Sequence, residues 1–168
     1  MELLDVYSSD KEKTGKILPR EDIFEKINEN ERILLVHACI FNSKHEMLIQ
    51  QRQFDKDRYP GCWDVSAGGF VMSGESSSDA VFREVKEELG LDVREKTPIF
   101  VCCEPFGKVL DDFYRIVSDI EFDRLCIQKE ELASVKWSTE KEIIAMIDRG
   151  DFVDYSKNLI SRLFRESR

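Results

Sequence analysis

Three carboxylates crowd one short window of the chain: Glu84, Glu87 and Glu88, at i, i+3 and i+4. On a helix this spacing places them on one face, a turn apart. Like charges so placed destabilise a helix by roughly 0.2–0.5 kcal/mol per exposed pair. A solvated acidic face is the ordinary result of such a run. The other result is a cation held between the carboxylates, and a hard divalent ion with oxygen ligands is the natural candidate. Such an ion keeps several waters and bridges to substrate phosphates, so the chemistry in view is metal-assisted phosphoryl or nucleotidyl transfer.

The element that must position these residues is legible around them. Ser76 is a fit N-cap, with Asp79 three residues on in a near capping-box pattern. Val81, Val85 and Leu89 recur at i, i+4 and i+8 beside Phe82, which gives an apolar stripe for packing. Gly90 follows as a C′ stop. Arg83 stands four residues before Glu87 and can brace that carboxylate or reach back to Glu75.

The framing residues make the pattern specific. Gly69, Glu75, Arg83-Glu84, Val85, Glu87-Glu88, Gly90 and Leu91 match every specified position of GX5EX7REUXEEXGU, where U is aliphatic. The segment 69–91 therefore resembles the Nudix box. The resemblance implies an α/β fold, an α/β/α sandwich with a mixed sheet and a loop–helix–loop motif. It implies hydrolysis of a diphosphate linked to another group, usually in a nucleoside diphosphate-X compound, with Mg²⁺ or Mn²⁺. It further implies Glu84, Glu87 and Glu88 as metal ligands together with the Gly69 carbonyl, and a catalytic set of Glu84, Glu87 and Arg83, with Glu84 the first choice for activating water. Some relatives recruit a further glutamate from the region that holds Glu130 and Glu131 here, and Glu131 joins the expected catalytic set on that ground. Glu104, Asp111 and Asp112 are further acids of the same sort. Of the basic residues Arg52, Lys56 and Arg58, Arg52, directly after a strand, is the one expected to meet substrate phosphates; charges near turns such as Lys56 and Arg58 ordinarily serve solubility.

Upstream, Gln50-Gln51-Arg52, Lys56, Pro60-Gly61 and Trp63-Asp64-Val65-Ser66 look like a branch shared by isopentenyl-diphosphate isomerases and hydrolase-like relatives. The isomerases carry Cys-Gly-His where this chain has Gly68-Gly69-Phe70. Glycine has no thiol to protonate an allylic carbon and phenylalanine cannot ligate a metal, so hydrolysis is expected and isomerisation is not. A non-catalytic Nudix-fold binding module is the remaining alternative; such relatives usually lose a box glutamate, and this chain keeps them all.

The whole chain sets the bounds. At 168 residues it is long enough for one domain with a substantial core, and a single domain over 1–168 is expected. Its charge of −9 disfavours coating a nucleic-acid polymer but not holding a small phosphorylated molecule. No apolar run approaches the ~20 residues of a membrane span. The start, Met-Glu-Leu-Leu-Asp, lacks signal-peptide character, so a cytoplasmic setting is expected. Cys39, Cys102 and Cys103 lie among apolar residues and read as core filling; with only His37 and His45 present, a Cys/His zinc site is disfavoured.

Along the chain the pattern predicts an N-terminal hairpin (2–7 and 15–18) and a helix over 21–27, within a unit spanning 1–30. Strands are predicted at 33–41 and 47–51, an extended stretch at 63–70, and strands at 99–104, 113–120 and 135–138 after a loop at 128–132. Helices are predicted at 140–147 and 154–164. The hairpin offers an edge to which a second copy can add a strand, so a homodimer is left open. Phe54, Tyr59, Phe106, Phe113 and Tyr114 are candidates for stacking on a base that pattern alone does not separate from core residues.

Overall fold

The strand Glu31–Phe41 (β3) organises the molecule. Leu34, Val36, Ala38 and Ile40 point to one side; Ile33, Leu35, His37, Cys39 and Phe41 point to the other, and of these nine only Leu35 is not buried. A strand apolar on both faces belongs in the middle of a sheet. In this computed structural model, which describes residues 1–165, β3 runs parallel to β8 (Val109–Val117), from Ile33↔Val109 to Phe41↔Val117. It pairs antiparallel with β6 (Ala67–Phe70). Around these lie β4 (Met47–Arg52), β5 (Trp63–Asp64), β7 (Ile99–Phe106) and β9 (Leu132–Ser138), while the hairpin of β1 (Leu3–Ser8) and β2 (Lys13–Pro19) joins β3 at Tyr7 and Ser8.

Helices cover both faces of this mixed sheet, giving the expected α/β/α sandwich. On one side α2 (Ser77–Leu89) buries Val81, Val85 and Leu89 against Leu34, Val36, Ala38 and Ile40. On the other, α3 (Glu140–Arg149) and α4 (Lys157–Arg165) pack on Cys39, Phe41 and Phe113 through Ile143, Ile160 and Leu163. A third apolar cluster joins the hairpin to the one-turn helix α1 (Ile23–Lys26) and to Ile33 and Val109. The last three positions of the 1–168 span lie outside the described residues. Among the described residues no helix is long and apolar enough to cross a membrane.

Five boundaries differ from the pattern. The helix expected over 21–27 is a 3-10 turn, Arg20–Asp22, running into α1. The stretch 63–70 is two short strands, because the Ser66 hydroxyl leaves the ladder to accept from Ile40 N (2.8 Å) and donate to the Leu48 carbonyl (2.5 Å). β8 begins at Val109 and not at 113: Asp111 and Asp112 break the apolar pattern, but both are paired, with His37 and Lys11 respectively. β9 begins at Leu132, inside the expected loop, where Leu132 pairs with Arg52 just before a register shift. The final helix starts at Lys157 because Val153–Tyr155 is held extended, with Val153 N bonded to the Trp63 carbonyl.

Candidate active site

α2 is fixed at both ends. The Ser76 side chain accepts from Asp79 N at 3.1 Å, and Gly90 closes the helix at φ 73°. With the Val81–Val85–Leu89 stripe buried, Glu84 and Glu88 lie over β6 and are themselves buried, each 8% exposed, while Glu87 points outward. The glycines of β6 permit this approach. A Cβ at Gly69 would fall 2.1 Å from Glu84 Oε1, so only glycine lets that carboxylate lie on the strand. Glu88 Oε2 accepts from Gly68 N (3.3 Å) and Gln50 Nε2 (3.2 Å).

Arg83 threads between the acids. Its Nε and Nη2 grip the two oxygens of Glu75 at 2.9 and 3.0 Å, and Nη2 also donates to the Phe70 carbonyl at 2.8 Å. The remaining nitrogen, Nη1, donates to Glu84 (2.6 Å) and Glu87 (3.1 Å). Both expected roles, bracing Glu87 and reaching Glu75, are thus filled at once. The repulsion that seemed to require an ion is partly met by the chain itself. Glu88 is left with neutral donors only, and burial together with the charges of Glu84 and Asp64 pushes its carboxyl well above the usual range. Burial also raises Glu84, and Arg83 only partly offsets it.

These carboxylates open onto a cleft of about 920 Å³. It occupies the part of the sheet that neither α3–α4 nor the N-terminal unit covers. Its floor includes His37, Gly68, Gly69 and Phe113. On one rim stand Arg52, Lys56, Arg58 and Glu131; Lys56 Nζ pairs with Glu131 at 2.5 Å, and Arg52 lies 3.7 Å from Asp64. Beneath that rim runs a polar chain that reaches the cleft at Asp111. His37 Nε2 faces Asp111 at 3.2 Å, and its other ring nitrogen faces the Tyr155 hydroxyl at 3.5 Å. That hydroxyl donates to Asp64 at 2.9 Å. Burial pulls His37 down, but the Asp111 bond and the charges of Asp111 and Asp64 carry its pKa above the ordinary value.

A model of the NUDIX domain matches residues 31–161. The chain belongs to the Nudix family. It is 38% identical to an uncharacterized Nudix hydrolase of Listeria monocytogenes over 92% of this chain and 90% of that one. A crystal structure from Deinococcus radiodurans superposes with a TM-score of 0.81 at 24% identity, covering 98% of this chain and all of the other, and bears on the fold alone. An isopentenyl-diphosphate Delta-isomerase of Escherichia coli is similar at 27% identity, over 68% of this chain and 66% of its own.

Nudix hydrolases act on pyrophosphate bonds and generally use divalent metal ions. The residues here suit such an ion. The donors are hard oxygens, two of the carboxylates are buried with raised pKa values, and the Gly69 cradle holds Glu84 in place. Among the described residues no three acids converge into a closed ligand set, since Arg83 stands between Glu84 and Glu87. Mg²⁺ binds through one or two carboxylates and keeps its waters, so an open set is adequate.

The expected residues separate clearly. Glu84, Glu87, Glu88, Gly69, Arg83, Arg52 and Glu131 all line the one cleft, as do Glu104, Asp111, Tyr59, Phe106 and Phe113. Asp112 does not: its side chain is fully buried under Lys11 and Ser77. Tyr114 lies on the α2 side and donates to Ser77, and Phe54 packs on Gly61. The isomerase comparison gains a physical reason, because a Cβ at Gly68 would fall 2.9 Å from both His37 Nδ1 and the Val36 carbonyl oxygen, leaving no room for a cysteine on this backbone. Sequence reasoning missed His37, Asp64 and Tyr155. The available signal was a histidine and an aspartate inside otherwise apolar strands.

Proposed function

We propose that the chain hydrolyses a diphosphate linkage in a nucleoside diphosphate-X or related small organic pyrophosphate, with Mg²⁺ or Mn²⁺ as cofactor. The observation that carries this reading is the burial of Glu84 and Glu88 against the Gly68–Gly69 strand at the mouth of the cleft. A bound ion supplies charge neutralisation on the non-bridging phosphate oxygens. Glu84, Glu87, Glu88 and the Gly69 carbonyl would hold it. Arg83, anchored bidentately on Glu75, sets the positions of Glu84 and Glu87. Arg52, Lys56 and Arg58 face the same space and meet the substrate phosphates. Water attacks phosphorus, the bridging P–O bond breaks, and the water proton passes to a carboxylate. Glu84 is the assigned acceptor, in which role it takes the proton instead of ligating the ion, and Glu131 is the second candidate.

The test is phosphate or nucleotide release from a panel of nucleoside di- and triphosphates, ADP-ribose, nucleotide sugars and dinucleotides, with Mg²⁺ or Mn²⁺. Turnover of at least one member is expected, and Glu87→Gln should lower kcat by about 10²-fold or more while leaving the fold intact. No turnover across the panel would favour a non-catalytic binding module. Appreciable conversion of isopentenyl to dimethylallyl diphosphate would overturn the hydrolase assignment.

A further inference from the structure

The open face of the sheet has a definite composition. Between the α3–α4 cover and the N-terminal unit, one row stays bare in register across β6, β3, β8 and β7: Phe70–Leu35–Asp111–Glu104. All four line the cleft. Four strands span about 14 Å, more than a single planar ring needs. Phe24 of α1 (47% exposed) stands at the Phe70 end of the row, and Phe106 of β7 (54% exposed), two residues beyond Glu104, lines the same cleft. Phe24 meets Phe70 edge-on with centroids 6.4 Å apart, and the Arg20 guanidinium lies 4.8 Å over the Phe70 ring. Exposed aromatics facing a groove are surface that an apolar or planar group would cover.

Asp111 is the polar group with a fixed aim in this row. His37 holds one of its oxygens at 3.2 Å, and the His37 ring is itself stacked on Phe113 (centroids 4.6 Å) and flanked by Tyr155. Glu104 is the looser acid, 46% exposed and 3.8 Å from Arg162.

We propose that Asp111, locked by His37, is the specificity-determining residue of the cleft: it accepts a hydrogen bond from an N–H or O–H of the substrate's organic group, which lies along the Phe70–Leu35 strip against Phe24. An organic group without such a donor strips water from Asp111 and returns nothing, so a purely apolar chain is rejected. A heterocycle or sugar bearing donors satisfies it. The proposal rests on the diphosphatase reading for placing the diphosphate beside Gly69, next to Phe70.

The experiment compares a nucleoside diphosphate panel with dimethylallyl diphosphate, using the full chain and Mg²⁺. The wild type should favour the nucleoside substrates in kcat/KM by about tenfold or more. Asp111→Asn should raise KM for the nucleoside substrates about tenfold, keep kcat within about threefold and leave the slower dimethylallyl reaction unchanged. Phe24→Ala, at an exposed site that does not threaten folding, should raise the same KM several-fold with the same selectivity. Equal losses on both substrate classes, unchanged KM in both variants, or a wild-type preference for dimethylallyl diphosphate would overturn the assignment. If the wild type turns over neither class nor any member of the wider panel of nucleoside triphosphates, ADP-ribose, nucleotide sugars and dinucleotides, the diphosphatase reading falls. Calorimetric titration with ADP then decides the assignment of Asp111 separately: binding that Asp111→Asn weakens sustains it, and absent or unchanged binding refutes it.

Discussion

Glycine at position 69 is as much a part of the site as the carboxylates. The distances of a notional Cβ to Glu84, 2.1 Å to Oε1 and 2.4 Å to Cδ, leave no rotamer that keeps the carboxylate where it lies. Gly69→Ala should therefore displace Glu84 while the Phe70–Leu35 and Gly68–His37 register persists. A displacement of about 1 Å at a reacting centre costs about 10²-fold in rate, and a loss of that size in kcat is expected, with a circular dichroism spectrum and melting profile close to wild type. Near-wild-type kcat would show that Glu84 does not act from its position on β6. A box match alone treats Gly69 as one fixed letter; the structure supplies the contact behind it. The same holds for Gly68, whose missing side chain makes room for His37. Arg83 follows this pattern too. Its letter in the box hides three separate tasks, on Glu75, on Glu84 with Glu87, and on the Phe70 carbonyl.

The elements carry the site through their ends and their ties to one another. The turn of the N-terminal hairpin places Lys11 Nζ 2.6 and 2.5 Å from the two oxygens of the fully buried Asp112, which also accepts from Ser77 Oγ at 2.7 Å. Ser77 is the first residue of α2, so the hairpin is pinned to the start of the helix that bears Glu84 and Glu88. Removing one partner of a fully buried pair costs about 3–5 kcal/mol; with Lys11 at 35% side-chain exposure, solvent screening reduces this, and Lys11→Ala should cost about 1–2 kcal/mol. Ser76→Ala, which removes the cap and the exposed hydroxyl bond to Asp79, should cost about 1 kcal/mol. Urea midpoints with unchanged slopes would measure both, and a neutral Lys11→Ala would mean that the hairpin does not brace α2. α2 itself was legible in advance because its signals are local: cap, stripe and C′ glycine lie within fifteen positions of one another. The starts of β8 and β9 were not, since Asp111, Asp112 and the residues opposite Arg52 are reconciled with strand structure only by partners far along the chain. His37, Asp64 and Tyr155 escaped for the same reason. They come from β3, β5 and the segment between α3 and α4, and no spacing in sequence announces that they meet.

At the scale of the whole molecule, the site conflicts with stability, and the conflict has a pH signature. The chain carries 34 acidic against 25 basic residues and still buries Glu84 and Glu88 with raised pKa values. For an acid raised in the folded state, the stabilising contribution is fully present below the ordinary value of 4.5 and is lost as pH rises through the folded pKa. His37, also raised, adds a loss of the same sign above 6.5. Asp5 and Glu142 act oppositely and lower down. In Asp5 burial is outweighed by its bonds to Lys13, Gly74 and Ser73, and in Glu142 the backbone bond from Thr139 dominates. Their stability is present above the ordinary values of 3.8 and 4.5 and fades as pH falls through the depressed pKa values. The metal-free protein should thus be most stable in mildly acidic solution, with its melting temperature declining as pH rises from 4.5 towards neutrality and beyond. Mg²⁺ should reverse the decline by binding the ionised carboxylates, adding about 2.7 kcal/mol at a hundredfold excess over Kd, which is several degrees for a chain of this size. Glu88→Gln removes the carboxyl that only neutral groups partner. It should raise the metal-free melting temperature at neutral pH, flatten the decline and diminish the response to Mg²⁺. Calorimetric scans across pH with and without Mg²⁺ make the measurement. A metal-free melting temperature that rises with pH above 4.5 would refute the raised carboxyls, and a Glu88→Gln variant that responds to Mg²⁺ as the wild type does would remove Glu88 from the metal site.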